Sequence, residues 1–213
     1  MISIIIPSRQ LSKESITSIK SVASTISFPH EIIISDKAGV AYARNWGAKQ
    51  AKGNKLLFLD DDVILHSELW SKIACLKYNE FMMFLPEGAR IPCSRLMCIF
   101  TSVFWELGGF DETFTLTSED HDFYIRALDA KMKFVPVTSA LLTHMDHPSR
   151  LRNIHVANAA IRQNMLFLRK HVGRHVDLLE TEFFDRVKHR QIRNVFMNLF
   201  WLVMAQPRSK SKL

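Results

Sequence analysis

The stretch Lys55 to Leu65, KLLFLDDDVIL, constrains this chain more than any other. Leu56, Leu57, Phe58 and Leu59 form an apolar run too short for most helices, which reads as a strand buried on both faces. It ends abruptly in Asp60, Asp61 and Asp62. Apolar residues resume at once with Val63, Ile64 and Leu65, so the acids do not belong to a solvated loop. Adjacent carboxylates repel one another unless a cation or water lies between them. A hard cation, which prefers oxygen ligands, is the simplest reason to set three of them at the end of a buried strand. A strand-to-helix turn, with one Asp capping a helix that starts near Ser67, accounts for one acid easily and for three poorly.

Upstream, ISIIIP over residues 2–7 is a β-branched run closed by proline and predicts a central strand, with Ser8 and Arg9 just past its end. Ser12 is placed to cap a helix running to about Thr25, with Ile16, Ile19, Val22 and Ala23 on one face. EIIIS over 31–35 predicts a second buried strand ending at Asp36. Two strands joined by a helix make a βαβ unit with parallel strands. Ligands of open parallel sheets bind beyond the carboxyl ends of the strands. Ser8, Asp36 and Asp60 all lie at such ends, so one cleft is expected to contain all three. Residues 39–51, GVAYARNWGAKQA, favour helix and carry Arg44, a cation able to balance the carboxylates or to hold a phosphate.

Downstream, a helix is expected from Ser67 to about Phe81, and strands over 82–85 and 96–104 separated by a loop around Pro86 to Pro92. In WELGGFD, residues 105–111, paired glycines beside aromatic rings point either to a close backbone approach or to a purely structural turn. A second acidic centre follows in LTSEDHDFYIRALDAKMK, residues 116–133. Thr117 or Ser118 is placed to cap a helix with Glu119 and Asp120 in its first turn and an apolar stripe of Phe123, Tyr124, Ala127 and Leu128. The helix dipole alone favours acids there, and Asp122 with Arg126 is an ordinary i,i+4 pair. A carboxylate so placed near a substrate hydroxyl can also serve as general base. A strand over 132–137 precedes His144 and His147. Imidazole is a good further ligand for a divalent ion already held by carboxylate, although a lone His is usually a surface residue.

Length and hydrophobic content suit one globular domain with a small appendage. We place that domain over residues 1–150 and a helical C-terminal extension with a basic tail over 151–213. No apolar run is long enough to span a bilayer, and MISIIIPSR lacks the basic leader of a signal peptide. Cys75, Cys93 and Cys98 are odd in number and unpaired in spacing. They read as reduced thiols of a cytoplasmic protein, against a disulfide framework or a zinc site. The net charge of +7 resides in the tail: from Arg186 to Leu213 there are seven Lys or Arg and no acids, which leaves 21 basic against 21 acidic residues in the body. This argues against a nucleic-acid binder, whose basic residues would mark a folded face. Within the tail, VFMNLFWLVMA over 195–205 has basic flanks. It suits either peripheral contact with anionic lipid or a helix packed on protein.

In their order and spacing style, SIIIPSR, EIIISD, ARNWGAKQAKGNKLLFLDDD, GGFDE and SEDHDFYIRA resemble the family 2 glycosyltransferases of the GT-A fold. The resemblance covers roughly residues 1 to 150 and continues weakly to His171. It implies an α/β, Rossmann-like, mostly parallel central sheet flanked by helices, a nucleotide-sugar donor (UDP-, GDP- or dTDP-linked) and, usually, inversion at the sugar carbon. Carried over by motif, Pro7, Ser8 and Arg9 line the nucleoside, Asp36 meets the base, and Arg44, Asp60 and Asp61 join the donor contacts. The DXD motif falls on Asp60 and Asp62, with Asp60, Asp62 and His144 toward Mn2+ or Mg2+. The ED pair falls on Glu119 and Asp120, with Asp120 as the catalytic base. Glycan, lipid-linked carrier and protein are all open as acceptors. A sugar nucleotidyltransferase shares the design but calls for a Gly-rich loop after the first strand, and PSRQLSKES has no glycine. A non-catalytic domain that binds nucleotide-sugar or membrane is the third reading, and the intact Asp60, Asp62 and Asp120 set argues against it.

Overall fold

The computed structural model of the protein describes residues 1–10, 12–145 and 154–171. The β-branched N-terminal run forms β1 (Ile2–Pro7), with Ile4, Ile5 and Ile6 wholly buried. Helix α1 (Lys13–Thr25) is opened by a capping box between Ser12 and Ser15 and leads to β2 (His30–Ser35). Helix α2 (Val40–Gln50) leads to β3 (Lys55–Leu59), every residue of which is buried. β1 lies between β2 and β3, parallel to both, with Ile4 opposite Ile32 on one side and Leu57 on the other.

The second half extends the sheet. β5 (Glu80–Phe84), β6 (Cys93–Phe100) and β7 (Lys133–Val137) complete a six-stranded order β2-β1-β3-β6-β5-β7 in which β6 alone runs antiparallel to its neighbours. This is the mostly parallel sheet flanked by helices that the sequence predicts. A separate two-stranded sheet pairs β4 (Val63–Leu65) with β8 (Leu142–His144). Helices α3 (Glu68–Cys75), α4 (Thr101–Glu106) and α5 (Glu119–Asp129) fill the connections.

One sheet face packs Ile4, Ile6, Leu57, Leu59, Met82 and Leu96 in a single apolar cluster that also takes in Val22, Leu69 and Ile73 of α1 and α3. The other face carries an aromatic cluster in which Phe58, Phe104, Phe110 and Phe123 meet at centroid distances of 5.0–5.5 Å. Helix α2 lies very close to β1, because a Cβ on Gly47 would stand 2.5 Å from Ile5 Cγ2. That approach carries Arg44 and Asn45 inward.

Two boundaries differ from expectation. The helix after the aspartates stops at Cys75, where Lys55 Nζ donates to the carbonyls of Ile73 and Ala74 at the helix end. The apolar run EFMMF becomes β5 because pairing to both β6 and β7 buries every residue of it. The strand expected over 96–104 ends at Phe100. There the Thr101 amide donates to Asn54 O and its hydroxyl to Gly53 O, turning the chain into α4 and sending Phe104 into the aromatic cluster.

The chain divides into two compact units, residues 1–149 and 150–213. The described part of the second is helix α6 (Ile154–His171), with Arg169, Lys170 and His171 in its last turn. Among the described residues no helix is long and apolar enough to cross a membrane. The stretch from Val195 to Ala205 singled out in the sequence lies outside the described residues, as does His147.

Candidate active site

The acids of the two sequence centres meet at Arg44. Its side chain is 3% exposed and its guanidinium reaches both: Nη2 donates to Asp60 Oδ1 at 2.7 Å and Nη1 to Glu119 Oε1 at 2.5 Å. Asp60 stands at the end of β3 and Glu119 in the first turn of α5, 75 positions from Arg44. Its planar fork of donors suits a buried cation that must serve two carboxylates at once. Burial works against the arginine's charge, but Asp60, Glu119 and Asp120 outweigh it and raise its pKa above the ordinary value.

The acids are affected in turn. Burial raises the pKa of Asp60, with Asp62 and Asp120 adding to the rise and Arg44 opposing it. Glu119 is pushed up to about 7, first by burial and then by the charge of Asp120, again against Arg44. Its Oε2 is buried and has no hydrogen-bond partner among the described residues. That adds a desolvation cost to the charged form.

Asp120 is oriented from two sides. Oδ2 accepts from the backbone amide and the hydroxyl of Ser94, at 3.0 and 3.2 Å, and Oδ1 accepts from the amide of His121 at 2.9 Å. Ser94, on β6, also offers its carbonyl to Arg44 Nη2 at 3.5 Å. Beside it, burial and the charge of Asp120 push the Cys93 thiol up to about 12, so this sulfur is no nucleophile.

Asp62 faces elsewhere. Antiparallel pairing of β4 with β8 sets Val63 opposite His144, and the Met145 amide donates to Asp62 O. His144 Nε2 therefore lies 3.4 Å from Asp62 Oδ2. Among the described residues no three His, Cys, Asp or Glu side chains converge as a metal cage. Mg2+, and by ligand preference Mn2+, is held by one or two carboxylates plus substrate phosphates, so it needs no all-protein cage. An oxygen and an imidazole nitrogen side by side fit the protein's share of such a site.

No protein-family model matches the chain, and no curated protein sequence does. Solved structures do. The catalytic domain of Drosophila β1,4-galactosyltransferase 7, solved with xylobiose, is similar over 68% of this chain and 71% of that one, at 15% identity and TM-score 0.59. Residues 1–349 of S. aureus TarS, solved with UDP-GlcNAc, are similar over 85% of this chain and 69% of that one, at 14% identity and TM-score 0.56. The mannosyltransferase PcManGT from Pyrobaculum calidifontis, solved with GDP-Man and Mn2+, covers 100% of this chain and 76% of its own, at 10% identity and TM-score 0.61.

The fold is of the GT-A type. Within it, the structure brings Arg44, Asp60, Glu119 and Asp120 together and sets Asp62 beside His144. Asp61 accepts from Ser8 Oγ at 2.6 Å. Pro7 closes β1, half-buried, and Arg9 is exposed just beyond it. Asp36 points outward with 74% of its side chain exposed, paired to Lys37 at 3.3 Å. Ser118 occupies the cap position of α5 but makes no side-chain cap, because its backbone is left-handed at φ 73°.

Sequence reasoning missed Ser94 and Asn45. Ser94 carries no motif, and its partner Asp120 lies 26 positions away across two elements. Asn45 is buried, accepts from the Phe110 amide, and donates to Phe110 O and Glu112 Oε1, so it clamps the GGFDE loop. A polar residue beside Arg44 in an alanine-rich helix is the signal that could have found it. Of the two readings left open for the paired glycines, a close approach is found at Gly109. It adopts φ 67°, and a Cβ there would stand 3.0 Å from Asn45 Oδ1.

Proposed function

We propose that this protein is a metal-dependent, inverting glycosyltransferase of the family 2 type, transferring a sugar from a nucleotide-sugar donor to an acceptor hydroxyl. The observation that carries this reading is the single buried Arg44 holding the DXD acid Asp60 and the ED acid Glu119 at one point. Two acidic centres that share one cation form a donor side and an acceptor side of the same pocket.

Asp62 and His144 would hold Mn2+ or Mg2+ on the donor side. When bound, such an ion supplies Lewis-acid stabilisation of the departing diphosphate. Asp120 acts on the opposite side of the sugar. The acceptor oxygen bonds to the anomeric carbon as the bond to the diphosphate oxygen breaks, and the acceptor's proton passes to Asp120. Oδ1 is the better placed of its oxygens, since it accepts one bond where Oδ2 accepts two. Ser94 keeps that carboxylate from rotating. Glu119 and Arg44 set the spacing between donor and acceptor halves. Pro7, Ser8 and Arg9 are assigned to the nucleoside, with Asp36 at its base.

The donor is a UDP-, GDP- or dTDP-sugar, and the acceptor is a glycan, a lipid-linked carrier or a protein. We further propose a cytoplasmic enzyme with peripheral membrane contact through its basic tail, which liposome flotation of the full chain against one ending near Arg190 would test. For the central reading the test is a thermal-shift screen of UDP-, GDP- and dTDP-sugars with and without Mn2+. Stabilisation by one nucleotide class, dependent on the metal, is expected. No shift with any of them at millimolar concentration would overturn the reading.

A further inference from the structure

Asp61, the middle acid of the DDD run, is turned away from Arg44 and toward the first strand and helix. Its Oδ2 accepts two hydroxyls at once, Ser8 Oγ at 2.6 Å and Ser15 Oγ at 2.9 Å. Both serines are nearly sealed from solvent, Ser8 at 6% and Ser15 at 1% exposure. They lie 53 and 46 positions from Asp61 and sit on different elements, one at the end of β1 and the other in the first turn of α1.

Ser15 is also the third helical residue of the capping box. It accepts the Ser12 amide on its side chain while its own amide donates to Ser12 Oγ. A carboxylate bonded to it stands at the positive end of the helix, where negative charge is favoured. One turn further along α1, Ser18 Oγ donates to Val63 O, just past the aspartates. Ser8 meanwhile is held from the other side, its amide donating to Ser35 O of β2. The strand end, the helix start and the acidic turn are thus joined at one oxygen atom.

We propose that Asp61 is a positioning residue that acts through Ser8 and Ser15, fixing the loop after β1, and with it the nucleoside side of the pocket, to the acidic turn that carries Asp60 and Asp62. This rests on the glycosyltransferase reading for its effect on substrate, but the latch itself is a property of the fold. Asp60 and Asp62 are assigned to the donor side, and Asp61 holds the wall they stand beside.

The test compares D61A, D61N and S15A in the full chain. A neutral amide oxygen can still accept two hydroxyls, so D61N should retain most of the latch and D61A should lose it. Hydrogen exchange at the Ser8, Ser15 and Ile16 amides, read without any ligand, is expected to quicken about tenfold or more in D61A and in S15A and far less in D61N. The Kd for the stabilising nucleoside diphosphate with Mn2+ should rise about tenfold in D61A with partial rescue in D61N, the effect of S15A should not add to that of D61A, and kcat at saturating donor should change much less than KM. Unchanged exchange in D61A would overturn the latch whatever the binding assay gives. So would an S15A protein indistinguishable from wild type beside a D61A protein that has lost metal dependence, because Asp61 would then be touching the ligand itself. Should the wild-type protein bind no nucleotide, the proposed function falls, and the exchange measurement still decides the latch.

Discussion

Replacing Glu119 by glutamine probes the electrostatics of the site while nearly preserving its shape. The Glu119 side chain is 5% exposed, and burial, reinforced by Asp120 and opposed by Arg44, lifts its carboxyl from 4.5 to about 7. A folded pKa above the unfolded one means that the folded chain binds the proton more tightly. The stability this group contributes is therefore fully present below pH 4.5 and is lost as pH rises to 7. At roughly 1.4 kcal/mol for each pH unit between those values, keeping the carboxylate ionised in the folded chain above pH 7 costs about 3 kcal/mol. Glutamine retains an acceptor for Arg44 Nη1 and carries no charge to desolvate. It does bring an amide to the place where Oε2 is buried without a hydrogen-bond partner among the described residues, at a cost of about 1 kcal/mol. E119Q should therefore be nearly as stable as wild type at pH 5, where ionisation in the unfolded chain already offsets most of that cost, and about 2 kcal/mol more stable at pH 8. Urea unfolding at pH 5, 6, 7 and 8, extrapolated linearly to water, reads the difference directly. Parallel stability curves for the two proteins across that range would refute the reasoning, since Glu119 would then not titrate differently in the folded and unfolded chains.

Three further outcomes are expected. D62N should weaken Mn2+-dependent nucleotide binding by at least about tenfold in a metal titration, and an unchanged midpoint would remove Asp62 as a ligand. D120N should bind donor as wild type does yet lose transfer by a factor of about 10²–10⁴; retained turnover would exclude it as the base. G47A should cost about 1–3 kcal/mol in urea unfolding, because the new methyl would press on the buried, β-branched Ile5. If G47A proves as stable as wild type, the contact between α2 and β1 is looser than the structure has it.

Much of the fold was legible because it is written in local runs. The apolar strands β1 and β3 and the capped start of α1 at Ser12 each follow from a few adjacent residues, and all appear as expected. Where the pattern was ambiguous, tertiary pairing decided. EFMMF can continue a helix or form a strand, and becomes a strand because β6 and β7 cover both its edges. Phe104 continues an apolar run yet lies in a helix, because the aromatic cluster beneath β3 and β6 takes it in.

The sequence by itself determined the chemical inventory: one arginine in an alanine-rich helix, then three acids at the end of a buried strand, and two more in the first turn of a later helix. Composition and spacing carry that information because they depend on neighbours a few residues apart. Only the tertiary structure decided the partnerships. It gave Asp60 to Arg44, Asp61 to the serines of β1 and α1, Asp62 to His144, and Asp120 to Ser94. Three consecutive carboxylates point to three different partners because the turn after β3 is the crossing point of elements distant in the chain. No local pattern records which of them will arrive there.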